Sequence, residues 1–374
     1  MPRIETLAAR AGSAPDPSSG ALSPPIQLAT TFEHTPDGQL PQGFLYQRYD
    51  NPTQQETEQA LAMLDGAKRA LLFPTGMAAG ATALQALPPG SHVLLCDDSY
   101  FSFRTLAAEQ FPRWRLDCTI VDFTDLDAVR AALRPETALL WAETPSNPLL
   151  KVSDIAALAE IAHGAGARLL VDGTFAPPVL QQPLALGADI VLHSATKYLG
   201  GHGDVMGGVL CFAEDGAHAA ACHRLRLLAG ATASPFAAWM ILRGVRTLPA
   251  RMAWHCRNAM QVARFLEAHP RVDEVHYPGL GSHPQHAVAA RQMRDFGGML
   301  SFEVAGGTPG ALAVAGRLRL FTNATSLGST ESLVEHRASI EGPQSTTPGG
   351  LLRLSVGLEH AEDLVADLEQ ALAE

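Results

Sequence analysis

Short apolar runs recur between residues 55 and 230, spaced so that a helix fits between neighbours. They are ALLF from 70, HVLLC from 92, ALLWAE from 138, RLLVDG from 168, DIVLHS from 189 and GGVLCF from 207. Runs of this length separated by Ala- and Leu-rich stretches predict an α/β domain built on a largely parallel sheet. One crossover helix is well marked. Ser153 is a suitable N-cap, Ile155, Leu158, Ala159, Ile161 and Ala162 form its apolar stripe, and Gly164 and Gly166 stop it before the strand that ends in Asp172.

Residues 1–55 lack sustained periodicity and are rich in Pro, Ser, Thr and Gln, so they read as an extended arm lying over another surface. The alternating pattern defines a large domain over 56–232. Beyond it the pattern changes to a long helical stretch, strands MLSFEV from 299 and LLRLSV from 351, and a last helix from about 361 with Leu364, Val365, Leu368 and Leu372 on one face. Residues 233–374 therefore read as a smaller C-terminal α/β domain.

The chain of 374 residues is long enough for two cores, and a 17% charged content with 47% hydrophobic residues is that of a compact globular protein. A net charge of −11 argues against a nucleic-acid or anionic-membrane partner and for a small-molecule substrate. Five scattered cysteines without a Cys-x-x-Cys pair, no signal-peptide run and no spanning apolar segment suggest the cytoplasm. His276, His283 and His286 lie in a Pro- and Gly-containing stretch without helical ligand spacing, so no metal site is expected.

The richest segment for chemistry is 189–208, where an apolar strand runs into Ser194, Thr196, Lys197 and the glycines 200, 201 and 203. Open α/β sheets place ligands at the C-terminal ends of their strands. A desolvated lysine there becomes a nucleophile towards an aldehyde, although this segment taken alone is better explained by an exposed lysine beside a flexible loop. Asp172, ending a neighbouring run, can keep a pyridine nitrogen protonated. Gly76 and Met77 open a helix after a strand, where free amides suit a phosphate. Tyr100 offers an aromatic face and a hydroxyl. In LLRLSV, Leu352, Leu354 and Val356 share one face and Arg353 and Ser355 the other, which makes Arg353 a candidate carboxylate clamp.

The ordered motifs YQRYDNPT, PTGMAA, ETPSNPLL, VDGTF, HSATKYLGGHGDVMGG, SLGSTESLVEH and LRLSVGLE resemble those of the Cys/Met-metabolism enzymes, from about residue 20 to the C-terminus. That family comprises cystathionine γ-synthases, γ-lyases and β-lyases and methionine γ-lyases. The resemblance implies a type I fold of pyridoxal-5′-phosphate-dependent enzymes, with an N-terminal arm and a homotetramer made of two active dimers. It implies Lys197 as the Schiff-base lysine, Asp172 as the partner of the ring nitrogen and Tyr100 as the stacked ring. Gly76, Met77, Ser194 and Thr196 would form the phosphate cradle, with Thr174 also beside the cofactor. Tyr46 and Arg48 would reach the neighbouring subunit's phosphate. Asn147 would lie near cofactor and substrate, with Arg353 and Ser326 on the substrate α-carboxylate.

Three departures concern the substrate side. Gly173 replaces the family's usual Asn, Thr325 stands where many γ-lyases and γ-synthases carry Glu, and SIEGP at 339–343 replaces Met-Thr-His. The expected reaction is γ-elimination on L-cystathionine, giving cysteine, 2-oxobutanoate and ammonia, as in bacterial γ-lyases. The alternatives are γ-replacement on an O-acylhomoserine, β-elimination, methionine γ-elimination and a catalytically inert cofactor-binding protein.

Overall fold

The computed structural model describes residues 2–342 and 345–373. Among these, twelve strands form two sheets. The first contains β1 (Arg69–Phe73), β2 (His92–Cys96), β3 (Asp117–Val121), β4 (Thr137–Glu143), β5 (Arg168–Asp172), β6 (Ile190–His193) and β7 (Gly208–Phe212), in the order β1-β7-β6-β5-β4-β2-β3. Only β7 runs against its neighbours, so the sheet is mixed, with a parallel run from β6 to β3. Its inner strands are buried on both faces, which is why they read as continuous apolar runs. Leu71, Phe73, Leu170, Leu192 and Leu210 pack with helices Gly76–Gln85 and Phe101–Trp114 on one side. Leu94, Leu140, Leu169 and Val171 pack on helix Ile155–Gly164 on the other.

The second sheet contains β8 (Val272–His276), β9 (Met299–Val304), β10 (Thr322–Asn323), β11 (Leu333–His336) and β12 (Leu351–Ser355), ordered β10-β11-β12-β9-β8. Leu300, Phe302, Val334, Leu352 and Leu354 share a core with the last helix, Ala361–Leu372, where Leu364, Leu368 and Leu372 are buried. The other face carries a cross-strand row of Ser301, Arg353 and Glu335 and looks towards the first sheet, where the Ser301 hydroxyl donates to Pro148 O at 2.7 Å.

The structure departs from the sequence reading in several places. The N-terminal segment is not wholly extended: Ile4–Ala9 is helical and buries Ile4 and Ala8, with Ala11 buried just beyond. Ile4, Leu7, Ala8 and Ala11 do have helical spacing, but over too few residues to be recognised. The next helix, Pro52–Asp65, begins inside the segment assigned to the arm, capped by Asn51. The long helical stretch after 235 is two helices, Pro235–Val245 and Leu248–Glu267. The first of them joins the core of the large sheet through Ala238, Ile241 and Leu242, whereas the second sheet's own core begins at Ala259. The crossover helix is capped by Asp154, which accepts from Ala157 N, rather than by Ser153.

Candidate active site

Strand ends build the site. β5 ends in Asp172, β4 in Glu143, and β6 runs through His193 into Ser194 and the turns that hold Lys197. All point to the same end of the parallel run, where carbonyl-end loops leave a crevice. A cavity of about 220 Å³ lies there. Gly76, Met77, Tyr100, Asn147, Asp172, Thr174, Ser194, Thr196, Lys197, Ser326 and Arg353 all line it, so the fold gathers eleven sequence-derived candidates from seven separate stretches of chain.

Lys197 is largely buried, and its Nζ donates to Ser326 Oγ at 2.7 Å. Desolvation first, and the Arg353 charge second, pull its ammonium down to about 8 from the usual lysine range. About a tenth of the free amine is therefore uncharged and nucleophilic at neutrality, far more than for an ordinary lysine. Ser326 adopts a φ of 106°, a strained conformation for a side-chain-bearing residue that costs roughly 1–3 kcal/mol where its surroundings hold it.

Asp172 is buried and accepts from Thr174 N at 3.0 Å. Desolvation pushes its carboxyl above the usual range. Glu143, its cross-strand neighbour, is raised above the usual carboxylate range by burial first and by the nearby Asp172 second. Glu143 Oε2 accepts from Tyr100 N at 2.7 Å and thereby fixes the start of helix Phe101–Trp114. Behind Asp172, His193 Nε2 meets Asp65 Oδ2 at 3.2 Å, both fully buried. Burial alone would discharge His193, but the Asp65 carboxylate outweighs it and raises the imidazole. This accounts for Gly173: a Cβ there would lie 2.9 Å from His193 Cε1.

Also lining the cavity, Thr75 caps helix Gly76–Gln85 through Oγ1, which accepts from Ala78 N at 3.0 Å. The amides of Gly76 and Met77 belong to the first turn and have no intrahelical acceptor. A Cβ at Gly76 would meet Ser194 Oγ at 3.1 Å, so glycine keeps this corner open. Thr174 Oγ1 accepts from Ser194 N at 2.9 Å. The Thr196 hydroxyl is engaged with the backbone of Gly207, at 3.1 and 3.2 Å.

Arg353 is not a free arginine aimed at an empty pocket, as strand alternation alone suggests. It is buried and already carries three partners: Asn147 Oδ1 at 2.8 Å, Ser326 O at 3.3 Å and Glu335 Oε2 at 2.7 Å. Asn147 in turn sits over Asp98, whose buried carboxyl accepts from Leu149 N at 2.9 Å and from Ser146 Oγ. Two candidates stay outside the cavity. Arg48 Nη1 donates to Leu227 O at 2.7 Å, and Tyr46 is 37% exposed.

Sequence reasoning missed Glu143, Glu335 and Arg337. Glu143 gave the same signal as Asp172, a polar residue ending an apolar strand. Arg337 and Glu335 gave none, because their role depends on cross-strand register. His276 pairs with Glu303 at 3.1 Å across β8 and β9 and takes no part in the cavity. No helix among the described residues is long and apolar enough to cross a membrane.

Comparison with known proteins finds relatives along the whole chain. The profile of the family described as "Cys/Met metabolism PLP-dependent enzyme" matches residues 5–373. The chain is 48% identical over 373 residues to a cystathionine gamma-synthase of Mycobacterium tuberculosis, covering 98% of this chain and 96% of that one. It is 46% identical over 378 residues to a cystathionine beta-lyase of Coxiella burnetii, covering 99% and 97%. Among solved structures, cystathionine gamma synthase from Xanthomonas oryzae pv. oryzae in complex with cystathionine superposes with a TM-score of 0.96 at 40% identity, covering 100% of this chain and 98% of that one.

Proposed function

The chain belongs to the Cys/Met-metabolism family of pyridoxal-phosphate-dependent enzymes, and from that premise we propose that it makes or breaks the Cγ–S bond of cystathionine at the cavity around Lys197. The observation that carries the proposal is the convergence of a depressed lysine, a buried carboxylate and a buried arginine on one cavity. The protein is a transsulfuration enzyme of the cystathionine γ-synthase, γ-lyase and β-lyase group.

The residues fit the cofactor. The first-turn amides at Gly76 and Met77, with Ser194 beside them, suit its phosphate. The buried Asp172, which among the described residues has no cation within hydrogen-bond reach, suits a protonated ring nitrogen. When bound, pyridoxal phosphate supplies the electron sink for charge developing at the substrate's α-carbon. The protein does the rest. Arg353 and Asn147 orient the α-carboxylate, Ser326 holds Nζ of Lys197, and Lys197 takes the α-proton as its uncharged amine. Tyr100 faces the cavity with its phenol and serves as a second proton carrier next to the leaving thiol.

Elimination, the reaction expected from the sequence, yields cysteine, 2-oxobutanoate and ammonia. Replacement, suggested by the γ-synthase names of the relatives, forms a bond from the cysteine sulfur to Cγ of an O-acylhomoserine as the Cγ–O bond breaks, giving cystathionine and the free carboxylic acid. Both use the same residues. The test is incubation with L-cystathionine alone and with O-acylhomoserine plus L-cysteine, followed by identification of every product. Release of 2-oxobutanoate or formation of cystathionine supports action at Cγ. Pyruvate and homocysteine as the main products would place the reaction at Cβ and overturn the reading.

Arg48 and Tyr46 do not line their own chain's cavity, so we propose that they complete the site of a second subunit. An assembly mixed from Arg48→Ala and Lys197→Ala chains is then expected to regain activity, because one hybrid site holds both wild-type residues. Hybrids demonstrated by native mass spectrometry but as inactive as either parent would rule out shared sites.

A further inference from the structure

Glu335 Oε2 accepts from two guanidinium groups at once, Arg353 Nη2 at 2.7 Å and Arg337 Nη1 at 2.6 Å, while Oε1 accepts from Thr325 Oγ1 at 2.6 Å. All three charged side chains are at most 5% exposed. Register enforces the arrangement, since β11 and β12 pair Glu335 directly with Arg353 and Arg337 follows two residues after Glu335. Arg337 Nη2 donates to Glu341 Oε1 at 3.0 Å, and its Cζ lies 5.4 Å from the Phe101 ring centre. Glu341 also accepts from Ser345 Oγ and Thr347 Oγ1 and has Arg104 Nη2 at 3.8 Å. Thr325 and Glu341 are two of the positions where this sequence departs from the family's motifs. Both departures therefore end in one cluster beside the substrate arginine; of the SIEGP segment, Pro343 lies outside the described residues.

Charge counting gives the cluster a purpose. If Arg353 binds a substrate carboxylate, that guanidinium faces two carboxylates, the substrate's and that of Glu335. In a desolvated pocket, like charges a few ångströms apart disfavour one another strongly. We propose that Arg337 is a positioning residue that neutralises Glu335, so that Glu335 can keep Arg353 oriented without competing against the substrate carboxylate. Arg353 and Arg337 then balance Glu335 and the substrate two against two, and Glu341, which Arg337 also reaches at 3.0 Å, has a second cation in Arg104 at 3.8 Å. Although burial works against its charge, Glu335 is held below the usual carboxylate range by Arg353, Thr325 and Arg337, in agreement with an ionised bridge.

This inference rests on the reading of Arg353 as the carboxylate clamp. The test titrates the cofactor-loaded protein with L-alanine, which has no leaving group, so that its dissociation constant is read from the visible absorbance without turnover. Arg337→Met is expected to weaken alanine roughly ten- to a hundredfold, within the coupling seen inside one ion-pair network. Arg337→Gln keeps donors for Glu335 and Glu341 but not the charge, so it is expected to lose a similar factor and carries the test if the Met variant does not fold. The decisive arm is the second substitution. Adding Glu335→Gln to either variant removes the competing carboxylate and is expected to recover at least about threefold of the lost affinity, whereas a purely structural role predicts equal or weaker binding. Single variants that bind alanine like the wild type, or double variants no tighter than the singles, overturn the proposal. If Arg353→Lys also leaves alanine binding unchanged, the fault lies with the reading of Arg353; if it weakens binding while the Arg337 variants do not, this inference alone fails.

Discussion

Replacing Lys197 with alanine is expected to lower turnover roughly a thousandfold or more, because it removes the amine that anchors the cofactor's aldehyde and the base that takes the α-proton. The fold should survive. Lys197 Nζ makes one side-chain hydrogen bond, to Ser326 Oγ, and burying an ammonium there is already unfavourable, as its depressed titration near 8 shows. Removing a desolvated charge that is weakly compensated costs the native state little. The variant should therefore retain wild-type circular dichroism and melting while losing the visible band of the lysine-bound cofactor. Activity within tenfold of wild type would remove the lysine from the chemistry.

Arg353 should separate binding from cofactor retention. Arg353→Ala is expected to reduce kcat/KM by about 30- to 1,000-fold, equivalent to roughly 2–4 kcal/mol for a charge-assisted contact in a desolvated site. The visible band should persist, since Arg353 bonds to Asn147, Ser326 and Glu335 and to none of Gly76, Met77 and Ser194, the residues proposed for the phosphate. Arg353→Lys should fall between the two, because an ammonium cannot hold Asn147, Glu335 and a carboxylate in one plane. Steady-state kinetics and the band measured on the same preparations decide the matter. Loss of the band in both variants, or unchanged kcat/KM, would show that Arg353 is not the clamp.

The strands of the parallel run and the residues at their ends were legible because their signals are local. An apolar run ending in Asp172, or opening into Ser194, Thr196 and Lys197, shows both burial and the point where burial stops. The less visible strands are those with an exposed side. Asp117–Val121 and Val272–His276 sit at sheet edges and are partly exposed, so their mixed residues resemble loops. Thr322–Asn323 is too short to show any period. For Arg353 the division of faces was right, with Leu352 and Leu354 in the core, but alternation cannot tell a face that meets solvent from one that meets another sheet. Its partner Glu335 is eighteen residues away in sequence and adjacent only through pairing of β11 with β12. Gly173 was recognisable as a departure, but its reason, the imidazole of His193 held by Asp65 from another helix, is a tertiary fact.

The central claim is that Lys197 carries the cofactor, and the most direct measurement is borohydride reduction of the loaded protein followed by peptide mapping. Reduction converts the reversible link into a stable secondary amine on the residue that formed it. The account predicts a single phosphopyridoxyl adduct, on Lys197 in the peptide containing Ser194, Thr196 and Tyr198. An adduct confined to Lys68, Lys151 or the N-terminus, or none on protein that binds the cofactor, would contradict it.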